Sequence, residues 1–129
     1  MNKKIPYGQH KLDEHDIQAV VDILRKGTIT QGQTVEDFGQ ALADYAGAKY
    51  GAAVANGTAA LHISVAALGL GPGEEVITTP ITFCATSNAA LYQGADVKFV
   101  DIDENTLNID PNLIKEKITE RTKAIMPVD

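Results

Sequence analysis

At 129 residues and 13.7 kDa, with 44% hydrophobic and 22% charged residues, the chain has the length and composition of a globular domain, not of a disordered segment. Its 11 Lys and Arg against 17 Asp and Glu leave a formal charge of −6 and a pI near 4.9, which argues against a protein built to neutralise a nucleic-acid backbone. No apolar run approaches the ~18 residues of a membrane span, no apolar segment follows the opening lysines as in a signal peptide, and a single cysteine, Cys84, forms neither an internal disulfide nor a metal cluster. The expectation is a soluble, cytoplasmic α/β unit with no nucleic-acid or membrane partner.

From Asp13, the residues Ile17, Val20, Val21 and Leu24 recur at i, i+3, i+4 and i+7, which predicts an amphipathic helix closed by Gly27 in a left-handed cap. Gly27 to Gln33 reads as a loop bounded by glycines. A second helix follows from Thr34, whose hydroxyl is placed to cap it. Val35, Phe38, Leu42 and Tyr45 share one face until Gly47.

The order then changes to strands alternating with helices. Tyr50 to Ala55 is a strand candidate, and Gly57 to Leu68 an alanine-rich helix ended by Gly69. A Gly-Pro-Gly turn leads to a strand over Glu75 to Thr79, stopped by Pro80, and a helix over Thr82 to Tyr92 with Gly94 at its end. Val97 to Val100 is the next strand, Pro111 opens a helix carrying Leu113, Ile114 and Ile118, and Lys123 to Val128 is β-compatible. Strands separated by helices of this length imply parallel pairing through right-handed crossovers. The chain stops at Asp129, just after a strand that a further helix would cover, as expected for the front part of a larger protein.

Three stretches carry candidate chemistry. Asn56-Gly57-Thr58-Ala59-Ala60-Leu61 joins a strand to a helix start, where free backbone N–H groups and the positive end of the dipole suit a phosphate. The alternative is an ordinary turn in which Thr58 merely caps. Thr78-Thr79-Pro80-Ile81-Thr82-Phe83 leaves the next strand at the same carboxyl edge, where open α/β sheets bind ligands. There Phe83 is either a flat platform for a ring or the first core residue of its helix. Thr28 to Gln33 frames hydroxyl and amide groups between glycines, as a loop binding a polyhydroxy ligand or as plain surface; Tyr7 is either a packing residue or a binding one.

The remaining candidates are weak. His10, His15 and His62 have no metal-ligand spacing, and His62 reads as a packed histidine. Asp101-Ile102-Asp103-Glu104-Asn105 lacks the glycine and the terminal glutamate of a calcium loop and reads as a solvated turn. No nucleophile elbow or nucleotide-binding glycine loop is present.

Taken together, Ile5-Pro6-Tyr7-Gly8, Thr30-Gln31-Gly32, Asn56 to Leu61, Gly71 to Ile77, Thr79 to Phe83, Arg121 to Ile125 and Val128-Asp129 resemble the amino-terminal part of the DegT/DnrJ/EryC1/StrS family of sugar aminotransferases. Ile77 to Phe83 and Glu120 to Ile125 look most like a member acting on a UDP-4-keto-6-deoxy-N-acetylhexosamine on the way to pseudaminic acid. The resemblance implies the fold-type I pyridoxal-phosphate architecture, with residues 1–129 as the N-terminal portion of the large, mostly parallel α/β domain. It implies a homodimer that transfers an amino group from glutamate to a nucleotide-linked keto sugar.

Carried over by residue, Gly57, Thr58 and Ala59 match the turn holding the cofactor phosphate, and Phe83 the residue stacked on its ring. Tyr7, Thr30 and Gln31 match segments lining the sugar-nucleotide side. None of the lysines matches the family's Schiff-base lysine, which lies beyond residue 129, so this stretch is expected to be inactive alone. Within the family, a sugar dehydratase and a sugar-responsive regulator are the alternatives.

Overall fold

The computed structural model describes residue 6 and residues 8–128, so Tyr7, Ile5 and Asp129 lie outside the described residues. The chain forms two compact units, Met1–Ala53 and Val54–Asp129.

The first unit holds two helices. α1 (Glu14–Lys26) starts at Asp13, whose carboxylate accepts from the backbone N–H groups of His15 and Asp16 at 2.9 and 3.0 Å, while the Asp16 carboxylate accepts from Asp13 N–H at 3.0 Å. This reciprocal capping box satisfies donors that the first helical turn leaves open. Gly27 ends α1 with φ −96°, in extended rather than left-handed backbone. Its need for glycine is steric, because a Cβ there would sit 2.9 Å from the Ile23 carbonyl oxygen.

α2 (Gln33–Ala46) is capped by the backbone of Gly32, not by Thr34, which stands one residue inside the helix. Gln33 instead donates to the carboxylates of Glu36 and Asp37. Gly47 closes α2 with φ 65°, a left-handed turn that glycine adopts without a Cβ clash. Gly39 on α2 and Gly51 approach so closely that a Cβ on either would strike the other's carbonyl oxygen. No residue of α1 is buried: the stripe Ile17, Val20 and Leu24 has only α2 and the connecting loop to pack on within this unit, and remains open.

The second unit is a three-stranded parallel sheet with helices against both faces. Its elements are α3 (Gly57–Ala67), β1 (Glu75–Thr78), α4 (Ala85–Tyr92), β2 (Asp96–Phe99), α5 (Pro111–Lys117) and β3 (Thr122–Met126). The order is β2-β1-β3, with Val76 beside Val97 and Ala124, and Ile77 beside Lys98 and Ile125. β1 is central and buried throughout, so its apolar residues Val76 and Ile77 stand side by side, one for each face, where a half-exposed strand would alternate.

Successive β1 residues serve opposite faces. Val76 joins Val65, Leu70, Ala89, Ala90 and Ala95 in one core, with Leu61, Val97, Ala124 and Met126 against it. Ile77 joins Val100, Ile109 and Ile114 in the other. Tyr50 to Ala55, expected as a strand, is irregular, because it forms no ladder with the described strands.

At the amino edge of the sheet, Glu75 is fully buried. Its Oε2 accepts from the Thr119 hydroxyl at 2.6 Å and pairs with Lys98 Nζ at 3.0 Å, while Oε1 faces the Arg121 guanidinium as an ion pair. Arg121 also donates to Asp96 at 2.8 Å. One carboxylate thus ties β1 to both neighbouring strands. The Thr119 hydrogen bond, with Lys98 and Arg121, holds the Glu75 carboxyl below its ordinary range against the opposing effect of burial.

Candidate functional site

Topology fixes where ligand-binding groups gather. α3 leads by a short turn into the amino end of β1, and α4 does the same for β2. Both helices therefore run against the strands, and both present their N-termini at the carboxyl edge of the sheet. The two helices pack on each other through Leu61, Val65, Ala89 and Ala90.

At the start of α3, the cap is Asn56. Its side-chain oxygen accepts from Ala59 N–H at 2.9 Å, and its carbonyl from Ala60 N–H at 3.1 Å. Thr58 is therefore not the cap, and Ala59 has already committed its backbone donor. Among the described residues, the N–H groups of Gly57 and Thr58 and the Thr58 hydroxyl have no hydrogen-bond partner. A Cβ placed on Gly57 would meet nothing within 4 Å, and no acidic residue stands in the first turn of α3. An anion reaching this helix end meets open donors, the positive end of the dipole and no carboxylate from the helix's own first turn.

Phe83 stands at the same edge. α4 begins at Ala85, three residues later than the spacing predicts, so Phe83 belongs to the approach and not to a helical face. It is 72% exposed and takes no part in either core. The approach is held by its threonines: Thr78 donates to the Met126 carbonyl at 2.8 Å, the Thr79 hydroxyl accepts from Ile81 N–H at 3.4 Å, and Thr82 and Thr86 share a hydrogen bond at 3.0 Å.

Thr30 and Gln31 belong to the first unit. Gln31 has φ 52°, a left-handed conformation that costs an L-residue roughly 1–2 kcal/mol. It stands on the wall of an apolar groove of about 430 Å³ formed by α1, the connecting loop and the start of α2. His62 is a packed histidine, as its sequence position predicts, with its ring edge-to-face against Tyr92 at 5.2 Å. Asp103 accepts from the backbone of Asn105 and Thr106, so the acidic run is a hydrogen-bonded turn. Those bonds, Thr106 first, hold its carboxyl below the ordinary range. Sequence reasoning missed the cap role of Asn56, although asparagine before Gly-Thr is a preferred cap. It also missed the Glu75 clasp, for which there was only a charge heading an apolar strand.

A parallel α/β sheet with a free helix N-terminus and an exposed aromatic ring at its carboxyl edge is an arrangement for a phosphate-bearing, planar ligand. The chain belongs to the DegT/DnrJ/EryC1/StrS aminotransferase family, whose sequence profile matches residues 10–129.

It is 44% identical over 127 residues to the spore coat polysaccharide biosynthesis protein SpsC of Bacillus subtilis (strain 168), covering 98% of this chain and 33% of that protein. It is 40% identical over 127 residues to the UDP-4-amino-4-deoxy-L-arabinose–oxoglutarate aminotransferase of Shewanella sediminis (strain HAW-EB3), again covering 98% of this chain and 33% of that protein. Among solved structures, a Streptococcus pneumoniae protein assigned as a sugar aminotransferase superposes in its PMP form with a TM-score of 0.88 at 34% identity, covering 97% of this chain and 32% of that one. The same protein is also solved in its PLP form. The fold is that of the pyridoxal-phosphate-dependent aminotransferases, and the chain spans about a third of the length of these relatives.

Proposed function

We propose that this chain is the phosphate seat and ring platform of a pyridoxal-phosphate-dependent aminotransferase that moves an amino group from glutamate to a nucleotide-linked 4-keto-6-deoxy sugar. The observation that carries the reading is the pairing of unclaimed Gly57 and Thr58 donors with the exposed Phe83 ring at one sheet edge. The residues present fit the cofactor. Backbone donors, a hydroxyl and a helix dipole suit its phosphate, and a solvent-facing phenylalanine suits its planar ring. When bound, the cofactor supplies the electron sink that lets an amine pass between two carbonyl carbons.

This chain's own residues bind and orient. Gly57 and Thr58 donate to the phosphate, Asn56 holds the turn by satisfying Ala59, and Phe83 excludes water from one ring face. The family resemblance assigns Tyr7, Thr30 and Gln31 to the segments that line the sugar-nucleotide side. Residues 1–129 are the N-terminal portion of the large domain of a homodimer, and the lysine that anchors the cofactor lies beyond them. This stretch therefore binds without turning over.

Glutamate as donor is supported by the oxoglutarate in the Shewanella relative's name, and a surface-polysaccharide role by the Bacillus relative's. Within that class the motifs at Ile77 to Phe83 and Glu120 to Ile125 favour pseudaminic acid synthesis.

The test is to incubate the full-length protein with a UDP-linked 4-keto-6-deoxy-N-acetylhexosamine and 15N-glutamate. The expected products are a 15N-labelled amino sugar and 2-oxoglutarate. Loss of water from the sugar without nitrogen incorporation would make the protein a dehydratase. Sugar binding with no turnover would make it a sugar-responsive regulator; either outcome overturns the proposal.

A further inference from the structure

We infer that His62 is a positioning residue: by pinning α3 to the far end of α4, it sets the axial offset between the Gly57 and Thr58 donors and the Phe83 ring. The inference rests on the cofactor reading above and concerns a residue that never touches the cofactor.

α3 and α4 meet through Leu61, Val65, Ala89 and Ala90. Leu61 and Val65 meet only small alanines on α4, and apolar contact of this kind has no direction, so the packing holds the helices together while permitting the small sliding movements of shear contacts. Direction comes from His62. The Gln93 side-chain amide donates to His62 Nε2 at 2.7 Å, the one side-chain hydrogen bond between α3 and the end of α4 among the described residues. The imidazole also meets the Tyr92 ring edge-to-face, with centroids 5.2 Å apart and planes at 65°.

Tyr92 is the last residue of α4 and Gln93 its cap, so both contacts act at the end opposite Phe83. His62 lies four residues after Thr58, one turn along the same face of α3. A helix is stiff over a turn or two, so an axial slip permitted at His62 reaches the α3 N-terminus undiminished.

Ligands sense that slip differently. Inorganic phosphate at the start of α3 touches one helix and is indifferent to the offset. A molecule with its phosphate on α3 and its ring on Phe83 spans two elements with a fixed internal length. For such a ligand, a slip that seats one end correctly displaces the other from its partner.

The experiment uses the full-length protein and five variants: His62→Ala, Gln93→Ala, the two combined, the conservative His62→Gln, which can still pair with the Gln93 amide, and Thr58→Val. Dissociation constants are measured for pyridoxal phosphate and, by competition, for inorganic phosphate. The visible circular dichroism of bound cofactor and the melting of cofactor-free protein are recorded alongside. The expected result is about a tenfold loss of pyridoxal-phosphate affinity in both alanine variants, a changed cofactor dichroism and unaltered phosphate affinity. The double alanine variant should lose no more than either single one, and His62→Gln should recover most of the loss.

Equal losses for both ligands, or no loss for either in folded protein, would overturn the inference. Should His62→Ala fail to fold, Gln93→Ala, at the helix end, gives the same comparison. Thr58→Val separates the two levels: if it leaves phosphate affinity untouched, the phosphate seat itself is misassigned, whatever His62 does.

Discussion

Replacing Thr58 by valine keeps the branched shape of the side chain and removes one hydroxyl. Because Asn56 rather than Thr58 caps α3, with its oxygen 2.9 Å from Ala59 N–H, the substitution removes no cap and no hydrogen bond recorded among the described residues. The cofactor-free protein should therefore melt within the small range of ordinary surface changes, about ±0.5 kcal/mol. Cofactor binding should respond quite differently. A hydrogen bond from the hydroxyl to a charged phosphate is worth roughly 1.5–3 kcal/mol, which corresponds to about a tenfold to hundredfold rise in dissociation constant. Asn56→Ala is the contrasting variant: it removes the cap and lowers helix stability by about 1 kcal/mol. Spectroscopic titration of full-length apoprotein with pyridoxal phosphate, beside thermal melts, measures both quantities. A Thr58→Val protein that binds the cofactor like its parent refutes the assignment, and one that melts markedly lower refutes the account of the cap.

Two further outcomes follow from the geometry. Phe83→Leu should leave the melting temperature almost unchanged, because the ring is 72% exposed. Loss of a stacked face, worth about 0.5–1.5 kcal/mol, should weaken cofactor binding about twofold to tenfold and shift its absorbance; a lower melting temperature with unchanged binding would return Phe83 to the core. Glu75 gives a pH dependence: its folded carboxyl is held below the ordinary 4.5, by Thr119 first and then by Lys98 and Arg121, so its contribution is complete above that value and fades as the pH falls toward the folded one. Glu75→Gln should melt lower at neutral pH and lose stability less steeply on acidification than the parent; parallel pH profiles would show that the clasp does not titrate with folding.

The local elements were legible in the residues because their causes are local. Ile17, Val20, Val21 and Leu24 mark one face of α1, Gly47 closes α2, and Pro111 opens α5. The alternation after residue 56 was enough to require parallel pairing, and β1, β2 and β3 start at or one residue before the predicted positions. The helix start at Gly57 and Thr58 was legible for the same reason, since a first helical turn leaves backbone donors open whatever surrounds it. The family resemblance added roles that spacing alone could not assign.

What the tertiary structure decided depends on partners distant in the chain. Tyr50 to Ala55 has strand-like composition but no ladder among the described strands, and a strand exists only by pairing. Phe83 was open between core and surface until the start of α4 at Ala85 took it off the helical face. Thr58 and Asn56 both have capping side chains, and only the backbone path into α3 selected Asn56. The apolar stripe of α1 has the period of a buried face, yet nothing within its unit buries it, because periodicity specifies a face and not what covers it. Glu75 shows the limit most plainly: a carboxylate in a buried strand looks costly until Lys98, Thr119 and Arg121 converge on it, and the register of three parallel strands is what brings them there.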